Sequence, residues 1–97
     1  MTYFRIDLRG KYRINKYEGE EIGIYDEEEN RNLFVKKISD YQDFDECTIL
    51  RNREIKKMYC FDKNKRTVVI ETENGDNFIN CLKKNYGIEK IKWKSIF

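Results

Sequence analysis

"CTILRNREIKKMYCFDKNKRTVVIET", residues 47–72, decides the fold because apolar side chains recur at every second position along most of it. This period is typical of β-strands, in which successive side chains point to opposite faces of a sheet. It predicts a strand from Cys47 to Arg51, a short segment from Ile55 to Phe61 and a strand from Thr67 to Thr72. The residues Asp-Lys-Asn-Lys at 62–65 are typical of a turn. The stretch therefore predicts antiparallel β-structure.

The N-terminal half repeats this period of two. Strands are predicted at 3–8, 11–15, 22–24 and 33–38. The strongly charged run at 26–30 is expected to form a solvated hairpin tip between two of these strands. Residues 39–46 show no sustained period, so we predict a loop there.

The C-terminal part of the chain changes period. Phe78, Leu82 and Tyr86 recur at every fourth residue and Gly87 follows, which predicts a short helix over 77–86 with a glycine cap. Asn-Gly at 74–75 is also a strong hairpin signal, so a strand after a tight turn is the alternative for residues 77–81. Alternating side chains at 91–95 predict a final strand.

Together these elements predict one domain, residues 1–97, of the mainly β (α+β) class. We expect a small, strongly bent antiparallel barrel or sandwich with one short helix near the C-terminus and a final strand. Barrel closure is favoured because it removes exposed strand edges, and the chain has no proline to block them.

Composition limits the location of the protein. Three cysteines without C-x-x-C spacing are expected to be reduced and mostly buried. No apolar stretch approaches the roughly 18 residues of a membrane span, and the start of the chain lacks the apolar core of a signal peptide. We therefore expect a cytoplasmic protein without a membrane partner.

Few residues are suited to catalysis. The chain has no histidine and no glycine-rich phosphate loop, and its serines are Ser39 and Ser95. The acidic stretch 40–46 lacks the ligand spacing and the glycine of a calcium loop. Glu54-Ile55-Lys56 matches half of a metal-dependent nuclease site, which is an alternative with little support in a chain so rich in Glu and Lys. We expect no catalytic residue, no metal and no cofactor.

Aromatic residues beside basic ones are the first functional signal. Such surfaces bind single-stranded nucleic acid, because rings stack on bases while cations contact phosphates. The alternative is that the rings pack in the core and the lysines solvate its rim. The candidate residues for binding RNA, DNA or nucleotides are Tyr12, Arg13, Lys16, Tyr17, Arg51, Arg53, Lys92 and Trp93.

An uneven charge distribution is the second signal. Residues 18–46 carry eleven acidic and three basic residues, whereas 47–97 carry twelve basic and six acidic ones. Acidic loops could bind a basic protein partner, as in a phage- or mobile-element-type inhibitor or immunity protein (an anti-CRISPR-like anti-defence factor, for example). The alternative is that paired strands mix these charges in space. The candidate partner-binding residues are Asp26, Glu27, Glu28, Glu29, Asp40, Asp43, Asp45 and Glu46.

The segment 21–58, "EIGIYDEEENRNLFVKKISDYQDFDECTILRNREIKKM", resembles small bacterial Sm-like β-barrel proteins. The resemblance lies in a glycine-bearing strand, an acidic turn, an apolar strand, a loop with an aromatic-Asp pair and a strand with a final apolar anchor. These features fall on Gly23, Asp26, Phe34, Val35, Ile38, Phe44, Asp45, Ile49, Arg51, Ile55 and Met58. The resemblance implies a small barrel and a homo-oligomer that binds RNA or nucleotides.

Overall fold

The computed structural model of the chain describes residues 5–16 and 21–97. The described part is mainly β with one helix, which confirms the predicted class. Its strands are β1 (Arg5–Asp7), β2 (Tyr12–Lys16), β3 (Glu21–Asp26), β4 (Arg31–Lys37), β5 (Asp40–Asp43), β6 (Cys47–Asn52), β7 (Lys57–Asp62), β8 (Thr67–Thr72) and β9 (Lys94–Ser95), and its helix is α1 (Gly75–Tyr86). Tyr17 and the first residues of the predicted strand 3–8 lie outside the described residues.

The strands form two antiparallel sheets. Sheet 1 has the order β1-β2-β3-β4, and sheet 2 has the order β8-β7-β6-β5-β9. Within the described ranges no strand of one sheet pairs with a strand of the other, so closure into a barrel is not confirmed. The wall of a barrel needs apolar side chains mainly on its inner face. Sheet 2 is instead apolar on both faces, which suits the middle layer of a stack.

Two hydrophobic clusters lie on the two faces of sheet 2. Leu50, Tyr59 and Phe61 face sheet 1, where they join a cluster that includes Ile14 and Ile24. The alternate residues of the same strands face α1, and this second cluster contains Cys47, Ile49, Cys60, Phe78, Leu82 and Ile88. The molecule is therefore a stack of sheet 1, sheet 2 and helix.

Several predicted elements are confirmed. β8 spans Thr67–Thr72, as the sequence predicts, and the charged run forms the tip between Asp26 and Arg31. The helix is confirmed but begins at Gly75, because the side chain of Asn74 accepts the N–H of Asn77 and caps it. Gly87 ends the helix with φ of 69°, a left-handed conformation that glycine adopts without strain.

The predictions for residues 39–46 and 91–95 were inaccurate. Residues 39–46 are not all loop, because β5 occupies Asp40–Asp43 and pairs with both β6 and β9. Its polar side chains hide the strand period from the sequence. The final strand is also shorter than predicted and covers only Lys94–Ser95.

Three hairpin loops share one construction. The residue that ends β3, β6 or β7 (Asp26, Asn52 or Asp62) accepts hydrogen bonds from two backbone N–H groups of the following loop. The last residue of each loop has positive φ, and these residues are Asn30, Lys56 and Arg66. The loops are thus held by local hydrogen bonds, which leaves their basic side chains to make longer-range contacts.

Candidate binding site at the β6–β7 hairpin

Arg51, Asp40 and Trp93 form the centre of the candidate site. Arg51 lies on the helix-facing side of β6, and its guanidinium carbon is 4.8 Å from the centroid of the Trp93 ring. Its Nε donates to Asp40 Oδ2 at 3.1 Å. An arginine held by both a ring and a carboxylate has a defined orientation. The two contacts therefore fix the direction of the Arg51 side chain.

Arg53 reaches the same carboxylate from the hairpin loop. Its Nη2 donates to Asp40 Oδ1 at 2.5 Å and its Nε donates to Oδ2 at 3.2 Å. The hydroxyl of Ser39 also donates to Oδ2, at 2.7 Å. Burial alone would raise the pKa of Asp40, but the hydrogen bonds from Arg53, Ser39 and Arg51 outweigh it and lower that pKa. Asp40 is therefore a charged, fully bonded anchor for the two arginines.

The arginines keep donors that Asp40 does not use. Within the described part of the chain, both terminal nitrogens of Arg51 and Nη1 of Arg53 make no hydrogen bond. A guanidinium carries five N–H donors, so each side chain can bind a further acceptor. These donors are available to a ligand.

A groove beside the arginines has a volume of about 400 Å³. Lys56, at the end of the hairpin loop, forms no ion pair with any residue that the structure describes, and its charge adds to those of the arginines. Glu73 is the acidic residue of the lining. The groove is lined by Arg51, Arg53, Lys56, Met58, Glu73 and Gly75.

Trp93 makes two ring contacts inside the protein. Besides Arg51, it stacks on Phe78 with a centroid distance of 6.4 Å and an interplanar angle of 18°. The ring therefore holds Arg51 in place, and it is not positioned as an open platform for a base. Lys92, the residue before it, donates its backbone N–H to Gln42 Oε1 at 2.6 Å and has an exposed side chain.

The remaining predicted nucleic-acid residues are dispersed. Tyr12 is buried, and its hydroxyl donates to the carbonyl of Lys63 at 2.9 Å, so its ring belongs to the core and the prediction that it stacks on a base is not supported. Arg13 lies over the ring of Tyr25 at 4.3 Å on the outer face of sheet 1. Lys16 lies 5.0 Å from the ring centroid of Phe97. Tyr17 is outside the described residues.

The predicted acidic surface is mostly used inside the protein. Asp26 and Asp40 are buried, which is contrary to a role as exposed partner-binding residues. Four other acidic side chains pair with basic residues of other segments or of the same loop: Glu27 with Arg13 at 3.9 Å, Glu28 with Lys11 at 3.0 Å, Glu29 with Arg31 at 2.8 Å and Asp43 with Lys63 at 2.8 Å. The charges of the segments are therefore mixed in space. Asp45 and Glu46 remain exposed.

The remaining candidates for chemistry are the nuclease motif, the cysteines and the acidic residues as metal ligands. Glu54 and Lys56 lie in a hairpin loop, whereas the nuclease alternative requires both on one strand face. No disulfide forms among the described cysteines, which are Cys47, Cys60 and Cys81. The hydrogen bond with Cys60 and burial both raise the pKa of the Cys47 thiol, which makes it a poor nucleophile. Among the described residues, no cluster of three Cys, Asp or Glu side chains could hold a metal ion. The helix that the structure describes, α1, is not long and apolar enough to span a membrane.

Sequence reasoning missed two residues, one that lines the groove and one that lines a neighbouring cavity together with Arg53. Lys56 was assigned only to the nuclease motif, and its place in the groove follows from the hairpin turn. Phe97 lines that neighbouring cavity with 60% of its surface exposed, and it gave no periodic signal in the sequence.

Comparisons with protein-family models, with curated proteins and with solved structures found no match to this chain.

Proposed function

We propose that the protein is a non-catalytic binding module whose groove takes a phosphate group of RNA, DNA or a nucleotide. The observation that carries the proposal is the fixed orientation of Arg51, which Trp93 and Asp40 hold at the wall of the groove. Guanidinium groups bind phosphate oxygens through two parallel hydrogen bonds, and an oriented guanidinium loses less side-chain freedom on binding.

The charge of the groove favours an anionic ligand. Arg51, Arg53 and Lys56 line it, and Glu73 is the acidic residue among its lining. Asp40 accepts from both arginines and from Ser39, so its negative charge is already compensated. A carboxylate bonded in this way is poorly suited to act as a general base, which supports a binding role without catalysis.

Fluorescence anisotropy with a labelled single-stranded octanucleotide tests the proposal. We expect binding at low salt that weakens as salt rises, since each phosphate contact releases counterions. Lys56→Gln removes a charge without removing an observed contact, and we expect it to weaken binding and flatten the salt dependence. Lys65→Gln is the matched control, because Lys65 is an exposed loop lysine of the β7–β8 hairpin. Failure to bind an octanucleotide or a nucleoside monophosphate at low salt would exclude the proposal.

A protein-binding inhibitor is the second candidate. It is favoured by the exposure of Asp45, whose side chain is 88% accessible, and of the neighbouring Glu46. Exposed carboxylates at one loop can direct a basic partner. A pull-down from host cells with Asp45→Lys/Glu46→Lys tests this candidate, and it requires a partner that the wild type retains and the double variant loses.

The proposal includes a cytoplasmic location and self-association. Three unpaired cysteines suit a reducing compartment. The outer strands of the described sheets, β1 and β4 in sheet 1 and β8 and β9 in sheet 2, offer edges for association, as the Sm-like resemblance implies. Light scattering tests this part, because a monomer mass at micromolar concentration would exclude an Sm-like ring.

A further inference from the structure

We infer that the ligand is a single strand of nucleic acid that crosses the β6–β7 hairpin, with a phosphate in the groove and a base against Phe97. The inference rests on the proposed function and names the ligand class more narrowly. Its basis is a second cavity on the other side of the hairpin. That cavity has a volume of about 390 Å³ and is lined by Lys37, Ile38, Ser39, Asn52, Arg53, Glu54 and Phe97.

Arg53 lines both cavities. Arg51 and Met58 face the helix side of sheet 2, whereas Asn52 points to the opposite side because side chains alternate along a strand. The two cavities therefore lie on opposite sides of the hairpin and meet at Arg53. We expect a mononucleotide to occupy one of them and a chain of several nucleotides to contact both.

The second cavity has the chemistry of a base site. Phe97 is 60% exposed, and the ammonium group of Lys16 lies 5.0 Å from the centroid of its ring. The position of Phe97 is fixed by Ile96, which is buried and donates its N–H to the carbonyl of Ser39 at 3.0 Å. An exposed aromatic ring close to cations is the arrangement that stacks bases of single strands.

The linings assign the two parts of the ligand to the two cavities. The groove has three cationic side chains and Glu73 in its lining, but no aromatic ring. The second cavity has two cationic side chains, Lys37 and Arg53, together with Glu54, and it has the exposed ring of Phe97. A phosphate is favoured where cations dominate, and an uncharged base is favoured beside an exposed ring. In a duplex the bases stack on each other and pair, so Phe97 could reach a base only in a single strand.

The test compares thymidine monophosphate, single-stranded (dT)8 and a duplex of eight base pairs, each titrated at low salt. Phe97→Leu should weaken (dT)8 binding about tenfold, since stacking on one base contributes roughly 1–3 kcal/mol, and should leave monophosphate binding unchanged. Phe97→Trp should retain (dT)8 binding. Val69→Ala, which trims an exposed apolar side chain on edge strand β8, is the control and should change neither affinity.

The outcomes separate the two proposals. If Phe97→Leu binds (dT)8 as tightly as the wild type, or if the duplex binds as tightly as the single strand, the inference is wrong. The proposed function then still stands if Lys56→Gln weakens monophosphate binding. If the wild type binds none of the three probes, both fail. Circular dichroism checks that each variant is folded, which we expect because Phe97 and Val69 are exposed.

Discussion

Arg66 and Asp26, forty residues apart in the chain, form an ion pair that joins the β7–β8 hairpin of sheet 2 to the β3–β4 hairpin of sheet 1. Arg66 also contacts Glu29, with Nη1 to Oε1 at 2.9 Å. Asp26 is fully buried and accepts the backbone N–H groups of Glu28 and Glu29. The acidic hairpin is thus held against the neighbouring sheet.

Asp26→Ala should lower the free energy of unfolding by about 3 kcal/mol, because it removes a buried charge partner and two hydrogen-bond acceptors. Asp45→Ala is the matched control from the same predicted acidic set, and its exposed pair with Arg9 at 3.6 Å should contribute less than about 0.5 kcal/mol. Urea denaturation measures both. Equal effects would show that the Arg66–Asp26 pair contributes no more stability than an exposed ion pair.

Stability should fall at acid pH. Burial would raise the pKa of Asp26, but backbone hydrogen bonds and the charges of Lys11 and Arg66 outweigh burial and lower it. Hydrogen bonds from Arg66 and Arg31 lower the pKa of Glu29 to about 2. A depressed folded-state pKa stabilises fully above the unfolded value of roughly 4, and this stabilisation is lost as pH falls toward the folded value. Urea midpoints should therefore be level above about pH 5 and decline toward pH 2. Asp40→Asn should reduce this decline, because the pKa of Asp40 is also lowered in the folded protein. A urea midpoint independent of pH would contradict the prediction.

Trp93→Leu should weaken octanucleotide binding roughly three- to tenfold, because the ring of Trp93 orients Arg51 through a cation–π contact. Such a contact contributes about 0.5–2 kcal/mol. Trp93→Phe should restore most of the affinity. Tyr25→Leu is the control, since it removes the ring next to Arg13 on the outer face of sheet 1 and should leave binding unchanged. A similar loss in both variants would mean that Arg51 has no special role.

Glu73→Gln should strengthen binding about two- to fivefold at low salt, because it removes a negative charge from the lining of the groove in which we propose that the phosphate binds. The gain should shrink as salt screens the interaction. Glu89→Gln changes charge equally at an exposed residue that does not line the groove, and it should have little effect. Anisotropy titrations at two salt concentrations check this, and a weaker affinity in Glu73→Gln would place the phosphate elsewhere.

Gly87→Ala should destabilise the protein by roughly 1 kcal/mol, because φ of 69° at the end of α1 strains any residue with a Cβ atom. Gly75→Ala makes the same chemical change at the start of α1, where the added Cβ meets no atom within 4 Å. That substitution should be neutral or stabilise by up to about 1 kcal/mol, since alanine favours helix. Thermal unfolding distinguishes the two, and equal shifts would exclude a role for the positive φ.

Strand β5 shows where a sequence pattern stops being informative. Its residues Asp40 and Asp43 are polar, so the apolar period of two is absent, and we predicted a loop. The strand is stable because Asp40 is bonded to Arg51 and Arg53, and Asp43 to Lys63. These partners come from other strands and loops, and no local pattern identifies them.

The candidate site was predicted in part. Arg51 and Arg53 are candidates as basic residues, Trp93 is a candidate because basic residues adjoin it in the sequence, and the structure brings these three together. Tyr12 met the same criterion but faces the core, since alternation along β2 turns it inward. Lys56 and Phe97 were missed because their positions depend on a hairpin turn and on contacts of β9.

The sequence by itself determined most of the elements, namely the period-two strands other than β5, a helix of period close to four, and polar turns between them. Local side-chain alternation and capping residues are sufficient for that, because they act over a few neighbouring residues. Only the tertiary structure decided that the strands divide into two sheets, that the acidic hairpin pairs inward through Asp26, and that Arg51 lies against Trp93. Those features depend on contacts between distant segments, and many pairings of charge and apolar surface are compatible with the same local pattern.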